Sequence, residues 1–445
     1  MASPNQAPAG PQSLPDPTTL RAWQLRVFWL LWGAYASYYL CRVNFAVAQP
    51  MILREFPGWT NTQIGTIPSI YAIFYAAGQI INGTLGQRYG ARYLMTGALL
   101  IAAFTNLLFS FATSFPMMLG LWAINGFAQS AGWSLLVQTI SNWNTSARRG
   151  TMIGLISTCY QVGNVLSWIL AGLLCDRLGW RAAFAVPSLV LFPMAIVFFL
   201  FLRNSPEEAG LPAVRDDISA APLRGEGHGA KTDLDSSDWL STWRILQLTL
   251  SNRVLWVLAI GYFCMNSVRY TFMNWSVQYM ADFQGRTIKN SAFTAIAIPL
   301  IGSLGAVTAG WASDNLFAKR RAPVCALMLI GLAVICAVFT VVPQGHWILA
   351  TTILGLAGFM IYGPDMLMSG AATVDISHPK AASIATGLTM CFGATGAIFS
   401  GAGIGWLKDN AKGNWALVFW VLAGLSLVSA LLMVSIWNAR PKAAK

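Results

Sequence analysis

Long apolar runs separated by short polar gaps constrain this chain more than any other feature. Each run is long enough to cross a bilayer, which takes about 20 residues of helix. Only 10% of the residues are charged, against about 25% in a soluble domain, so the chain lacks the polar surface of a soluble protein. Twelve runs lie near 26–49, 62–84, 91–112, 115–140, 150–173, 181–202, 253–281, 289–312, 322–342, 346–374, 381–405 and 414–437. The sequence predicts an all-α membrane protein with twelve transmembrane helices.

Polar segments divide these runs into two groups of six. Residues 1–22 are polar and contain several prolines, which predicts a cytoplasmic tail. Residues 204–242 are rich in Pro, Gly, Asp and Ser, which predicts a cytoplasmic linker. The remaining segments, 23–203 and 243–445, are then an N-terminal six-helix bundle and a C-terminal bundle with a short tail.

The net charge of +12 reports topology and not nucleic-acid binding. If the N-terminus is cytoplasmic, nineteen lysines and arginines fall in cytoplasmic segments and seven on the opposite side. This is the positive-inside bias of proteins embedded in a lipid bilayer. It predicts that both termini are cytoplasmic.

Two arginines interrupt apolar runs at matching positions. Arg42 lies in the first run and Arg269 in the seventh. A guanidinium remains charged, and placing it in the hydrocarbon core costs about 3 kcal/mol on insertion scales. Such a residue is tolerated where it faces a watery cavity and has something to bind. Two of them predict a central site for a doubly charged anion.

A constant shift of 227 residues relates the two halves. It carries Arg42 onto Arg269, Trp29 onto Trp256 and Tyr35 onto Tyr262. It also carries Gly83 onto Gly310 and Gln87 onto Asp314, within segments that follow the second and eighth runs. Internal duplication is typical of secondary transporters, whose sites lie between the repeats near the midplane.

Helical spacing places hydrogen-bonding groups on the same face as each arginine. Tyr35, Tyr39 and Arg42 share one face of the first helix, and Tyr262, Asn266 and Arg269 share one face of the seventh. Guanidinium forks match phosphate oxygens, and phenol hydroxyls can complete the shell. Alternatively, each arginine pairs with a buried acid or with backbone carbonyls and so locks helices together; Asp365 and Asp375 are the candidate acids. Gln129, Gln138 and Asn164 are weaker candidates for lining a pore.

Three motifs resemble the organophosphate:phosphate antiporters of the major facilitator superfamily. Residues 38–50 (YYLCRVNFAVAQP) are similar to that family's first-helix motif. Val268-Arg269-Tyr270, together with Asn274-Trp275-Ser276, is similar to its seventh-helix motif, and residues 359–364 (FMIYGP) are similar to its tenth-helix motif. The Gly310-x-x-x-Asp314 pattern also resembles the superfamily's loop signature, although Gln87 replaces the acid in the first half. The resemblance implies two pseudo-symmetric six-helix bundles. It further implies a phosphate group held between Arg42 and Arg269, with Tyr35, Tyr39 and Tyr75 nearby.

The sequence departs from the glycerol-phosphate transporters of that family at cationic positions. Val43, Gln79 and Tyr160 stand where those proteins have a lysine, a lysine and a histidine, respectively. Specificity for a known organic group therefore does not transfer. Asp365 adds a carboxylate beside Pro364, and three roles remain open for it: contact with an amino or hydroxyl group of the substrate, proton uptake, or a structural ion pair.

These observations favour a secondary transporter that exchanges an organophosphate or a phosphonate for inorganic phosphate. The alternatives are a membrane sensor of a sugar phosphate and a proton-coupled transporter of an organic anion. We expect a monomer in a bacterial inner membrane, without a cofactor or a metal and without enzymatic activity.

The seven cysteines all lie in apolar runs, which favours buried thiols over disulfides.

Overall fold

Helices account for nearly all of the residues that the computed structural model describes, which are 17–214, 250–318, 320–376 and 382–438. We number the membrane spans 1 to 12 in chain order. In the first half, span 1 comprises Pro17–Leu40 and Asn44–Glu55, and spans 2 and 3 form Asn61–Phe109 with a kink at Gly90. Span 4 comprises Phe115–Gln129 and Ala131–Trp143. Span 5 comprises Ser146–Ile156 and Thr158–Leu178, and span 6 is Ala182–Phe201. In the second half, span 7 is Arg253–Asp282, span 8 comprises Ile288–Ala295 and Ala297–Asn315, and span 9 is Arg321–Phe339. Span 10 comprises the helix Trp347–Met366, the π-helical turn Leu367–Ala371 and the helix Ala372–Ile376. Span 11 comprises the helix Ala382–Ile398, the π-helical turn Phe399–Gly403 and the helix Ile404–Asn410, and span 12 is Trp415–Ser435.

The twelve predicted runs correspond to these twelve spans, with differences at the ends. A short 3₁₀ turn, Glu207–Ala209, follows span 6. The first helix begins at Pro17, inside the segment expected to be a tail. The rest of that tail (1–16), most of the predicted linker (215–249) and residues 439–445 lie outside the described residues. Six of the cysteines are buried as expected, whereas Cys391 is exposed, and all seven are free thiols.

Three spans are less apolar than the others. Among the described residues, nine helices are long and apolar enough to cross a membrane by length and composition alone, and these are spans 2, 3, 5, 6 and 8 to 12. Spans 1, 4 and 7 are the exceptions. They carry Arg42, Gln129 and Arg269, so the polar residues that are costly to place in a membrane are concentrated in the helices of the predicted central site.

The two halves contact one another through two equivalent pairs of helices. Span 2 packs against span 11, and span 5 packs against span 8. Because the repeat carries span 2 onto span 8 and span 5 onto span 11, these two contacts are equivalent. The interface therefore has the approximate two-fold symmetry that the repeat predicts.

The repeat also extends to an ion pair at one end of the bundle. In the first half, Arg181 lies 2.7 Å from the Glu55 carboxylate. In the second half, Lys408 lies 3.6 Å from Asp282. The shift of 227 carries Glu55 onto Asp282 and Arg181 onto Lys408. The duplication thus covers the ends of the bundles as well as the arginines.

This end, where span 1 ends and span 2 begins, is the closed end of the protein. The Asp409 carboxylate accepts hydrogen bonds from the backbone N–H groups of Asn61 and Thr62 at 2.9 and 2.8 Å, and from their side chains at 2.7 and 2.6 Å. A carboxylate is favoured at a helix N-terminus because the unpaired N–H groups point at it. Asp409 therefore joins span 11 of one half to span 2 of the other.

Backbone contact seals the same end. Gly65 of span 2 and Gly401 of span 11 approach so closely that a Cβ on either glycine would overlap the other's carbonyl. Ser69 Oγ donates to the Ile398 carbonyl at 2.6 Å and accepts from Ala402 N–H at 2.8 Å. Only glycine permits such an approach of two main chains.

The opposite end of the bundle lies near Asp314, and we call it the open end. The hydrogen bonds and ion pairs seen between described residues of the two halves lie at the closed end or, in the case of Gln161 and Ser303, between the two ends. At the open end, Arg321 pairs with Asp314 at 2.6 Å and with Asp375 at 3.3 Å, both within the second half.

Candidate substrate-binding site

Arg42 lies in a break of span 1. The first helix ends at Leu40 and the second begins at Asn44, so the prediction of one continuous helix over 26–49 was wrong at residues 41–43. Within the break, the backbone N–H groups of Arg42 and Val43 both donate to the Tyr39 carbonyl at 3.2 Å. A broken helix near the midplane exposes backbone groups and is a common way for transporters to build a site.

Amide side chains from neighbouring spans stabilise the break. The Cys41 carbonyl accepts hydrogen bonds from Asn106, Asn125 and Gln129 at 3.2, 2.9 and 3.1 Å. Asn44 Oδ1 accepts from the Phe45 N–H at 3.1 Å. All three amide donors are fully buried, and a carbonyl freed by the break would be costly without them. The backbone around Arg42 is thus fixed by spans 3 and 4.

Neutral groups surround the Arg42 guanidinium. Its Nε donates to Gln129 Oε1 at 3.0 Å, and the same oxygen accepts from the Tyr71 hydroxyl at 3.2 Å. The guanidinium carbon lies 4.7 Å from the Tyr39 ring centre and 4.9 Å from that of Tyr75. These distances allow cation–π attraction. Arg42 has no ion pair in the part of the chain that the structure describes.

Arg269 has an acidic partner. It lies on the continuous helix of span 7, and its Nη1 donates to Asp365 Oδ1 at 2.9 Å. The Tyr262 hydroxyl donates to the same oxygen at 3.1 Å. The guanidinium carbon is 5.3 Å from the ring centres of Tyr270 and Tyr362. The alternative of a buried acid therefore holds for Arg269 in this conformation, with Asp365 as the acid; Asp375 instead lies at the open end.

Each arginine retains one buried N–H group without a partner. Arg42 Nη2 and Arg269 Nε are both shielded from solvent and make no hydrogen bond to the described residues. Orphaned buried donors are rare in proteins, and those of charged groups are the most costly. An anion with several oxygens would satisfy both.

Tyr39 of span 1 and Tyr160 of span 5 are neighbours near the interface between the halves. The charges of both Arg42 and Arg269 act on the Tyr39 hydroxyl. Tyr160 on span 5 lies 6.5 Å from Tyr39 between ring centres and is within electrostatic reach of Arg269 and Asp365. Both tyrosines therefore lie close enough to the second half for its charges to act on them.

The other predicted residues lie farther from the charged groups. Tyr35 is buried and packs its ring against Tyr38, Tyr39 and Trp133. Asn266 is buried, and its amide donates to the Tyr262 carbonyl at 3.3 Å, beside Gly393 of span 11. Both positions support the tyrosines that flank the arginines.

Sequence reasoning missed several site residues or ranked them too low. Gln129, which bonds Arg42 directly, was a weaker candidate, while Tyr71, Tyr270, Asn106 and Asn125 were not singled out. Asn125 and Gln129 are four residues apart in an otherwise apolar run. Polar residues at helical spacing inside a transmembrane run were the available signal.

The profile of the Major Facilitator Superfamily matches residues 31–401. The chain therefore belongs to this superfamily of membrane transporters, and it is a multi-pass integral membrane protein. A bacterial homologue of the human lysosomal transporter Spinster, solved in an inward-facing and unoccupied conformation, has the same fold, with a TM-score of 0.70 at 16% identity over 94% of this chain and 96% of that one.

Curated relatives identify the branch of the superfamily. The "Probable hexose phosphate transport protein" of Chlamydia pneumoniae is 30% identical over 94% of this chain and 92% of its own length. The glycerol-3-phosphate transporter of Bacillus subtilis is 28% identical over 94% of both chains. The membrane sensor protein UhpC of Salmonella typhimurium is 29% identical over 94% of this chain and 93% of its own. The chain is thus a member of the organophosphate:phosphate antiporter family.

Proposed function

We propose that the protein exchanges an organophosphate or a phosphonate for inorganic phosphate across the bacterial inner membrane. The observation that carries this proposal is the pair of arginines, one from each half, whose buried N–H groups lack partners. A phosphate group has enough oxygens to accept from both guanidinium groups. The names of the hexose phosphate and glycerol-3-phosphate relatives support this substrate class.

The mechanism that fits this geometry is alternating access. The two halves are joined at the Asp409 end, and the positive-inside bias favours a cytoplasmic location for the Asp314 end and for both termini. A bound anion would bring the halves together around it because it contacts an arginine of each. Without an anion, Arg42 keeps a buried positive charge that no acid neutralises, which disfavours occlusion of the empty site. Exchange follows, with a monomer as the working unit.

Counterflow in proteoliposomes tests this function. Vesicles loaded with phosphate should take up labelled phosphate much faster than empty vesicles, and a proton ionophore should leave the rate unchanged. Arg88→Lys is a matched control, since Arg88 is exposed and remote from the site. Equal uptake by loaded and empty vesicles would contradict exchange.

The sensor relative favours a second candidate function, in which the protein binds a sugar phosphate and reports to a partner. Binding and flux separate the two candidates. A sensor would show phosphate-ester binding in a thermal-shift assay of the detergent-solubilised protein, but no counterflow in vesicles.

A further inference from the structure

Asp365 places a carboxylate inside the proposed phosphate site. It follows Pro364 and precedes the π-helical turn Leu367–Ala371 of span 10. Its side chain is 17% exposed, against 21% for Arg269. Both of its hydrogen bonds end on Oδ1. Oδ2 accepts none from the described residues and is not among the buried polar atoms that lack a partner, so it is exposed to solvent.

The carboxylate changes the charge that a substrate must match. Two guanidinium groups and one carboxylate give this site one net positive charge. A dianionic phosphate ester would therefore leave an excess negative charge in a poorly hydrated interior, which is unfavourable. A substrate that carries a dianionic phosphate and one ammonium group would leave the site neutral.

The geometry also limits the distance between the two groups of such a substrate. Asp365 occupies Nη1 of Arg269, while the orphaned donor is Nε, on the opposite edge of the guanidinium. A phosphate that binds the Nε edge is thus separated from the carboxylate by the width of one guanidinium group. An ammonium group a few bonds from phosphorus can reach Oδ2 without displacing the ion pair.

We propose that the preferred substrates are organophosphates or phosphonates with an amino group close to phosphorus, and that Asp365 receives this amino group. The proposal rests on the proposed exchange function and adds the substrate class. Inorganic phosphate would then enter as the monoanion, which also leaves the site neutral. The ionisable groups that face Asp365 are Arg269 and Tyr262 of span 7, Tyr362 of span 10 and Tyr160 of span 5.

Matched competitor pairs test the proposal. Labelled phosphate counterflow is measured with 2-aminoethylphosphonate against ethylphosphonate, and with phosphoethanolamine against ethyl phosphate. The amino member of each pair should inhibit at a concentration roughly tenfold to a hundredfold lower, as expected for one hydrogen bond to a charged group. Asp365→Asn should abolish this preference, whereas Asp176→Asn, at an exposed acid of span 5, should keep it.

The pH profile is an independent measurement. Raising the pH above about 6 to 7 converts the monoanion of phosphate into the dianion. Phosphate counterflow by the unmodified protein should therefore fall as the pH rises. It should fall less in Asp365→Asn, whose site has two positive charges and suits the dianion.

The outcomes separate this inference from the proposed function. Absence of phosphate counterflow by the unmodified protein would overturn the exchange function itself. Counterflow with equal inhibition by both members of each pair would overturn only the amino-substrate inference. If Asp365→Asn loses all flux, ligand-induced thermal shifts of the purified variant decide instead, and a retained amino preference there would overturn the role of Asp365.

Discussion

Arg42 and Arg269 occupy equivalent positions in a duplicated chain, yet their backbone setting and their hydrogen-bond partners differ. Arg42 lies in a helix break and bonds a neutral glutamine at 3.0 Å. Arg269 lies on an unbroken helix and bonds a carboxylate at 2.9 Å. The duplication preserved the arginine in both halves, but only the arginine of the second half has an acidic partner among the described residues. In the proposed site, this divergence would let the first half hold phosphate by charge while the second half also contacts the rest of the substrate.

The largest expected effect tests what the two halves share. Arg42→Lys and Arg269→Lys should each lower phosphate counterflow by roughly a hundredfold, because a point charge cannot replace the guanidinium fork and each charge-assisted hydrogen bond contributes about 1.5–3 kcal/mol. Vesicle counterflow measures the loss, and immunodetection of membrane-inserted protein controls for folding. Near-normal exchange by either variant would remove that arginine from the site.

The next prediction makes the two halves alike. Gln129→Glu would give Arg42 an acidic partner and cancel the remaining positive charge of the site. Phosphate affinity should fall by roughly tenfold or more, since favourable charge pairing with the anion is lost. Thermal-shift titration with phosphate measures the affinity, and Gln344→Glu, at an exposed position between spans 9 and 10, is the matched control. Unchanged affinity would mean that Arg42 does not bind the anion by charge.

The converse variant removes the acid of the second half. Asp365→Asn leaves Arg269 without its counter-charge, and breaking a buried pair in this way costs about 3 kcal/mol or more. The ligand-free variant should melt at a lower temperature than the unmodified protein, and phosphate should restore more of the stability than it adds to the unmodified protein. Equal phosphate-induced shifts in both proteins would show that phosphate does not compensate for Asp365.

The smallest expected effect concerns the hydroxyl that shares Gln129 with Arg42. Tyr71→Phe removes the hydrogen bond to Gln129 Oε1 but keeps the ring. The loss should be about 1 kcal/mol of stability, with at most a fewfold change in exchange. Comparison of melting temperatures with the site-remote variant Tyr89→Phe would isolate this contribution. A loss as large as that of the arginine variants would assign Tyr71 a direct role in binding.

Span 7 was well predicted from the sequence because its helix continues without a break through Arg269. The predicted run 253–281 compares with the helix Arg253–Asp282. Span 1 shows why the site was predicted less completely. Its sequence remains apolar through Cys41, and the groups that permit the break are Asn106, Asn125 and Gln129 on other spans. Periodicity along one helix carries no information about such distant partners.

Asp365 shows a similar limit. The sequence identified it as an unusual acid in an apolar run, but left its role open between substrate contact, proton uptake and an ion pair. The choice of partner depends on how span 10 faces span 7, which a single sequence without its packing does not fix. The structure supplies that partner, Arg269, and with it the charge of the site.

The contact between Gly65 and Gly401 has a consequence for energy conservation by the membrane. At this point the barrier between the two compartments is main chain against main chain, so it does not depend on the rotamer of any side chain. A gate made of side chains can change rotamer and admit a chain of water molecules, whereas two main chains in direct contact leave no space for water between them. Ions and protons should therefore not leak through the protein while its opposite end is open, and the membrane potential is preserved through each empty interval of the cycle.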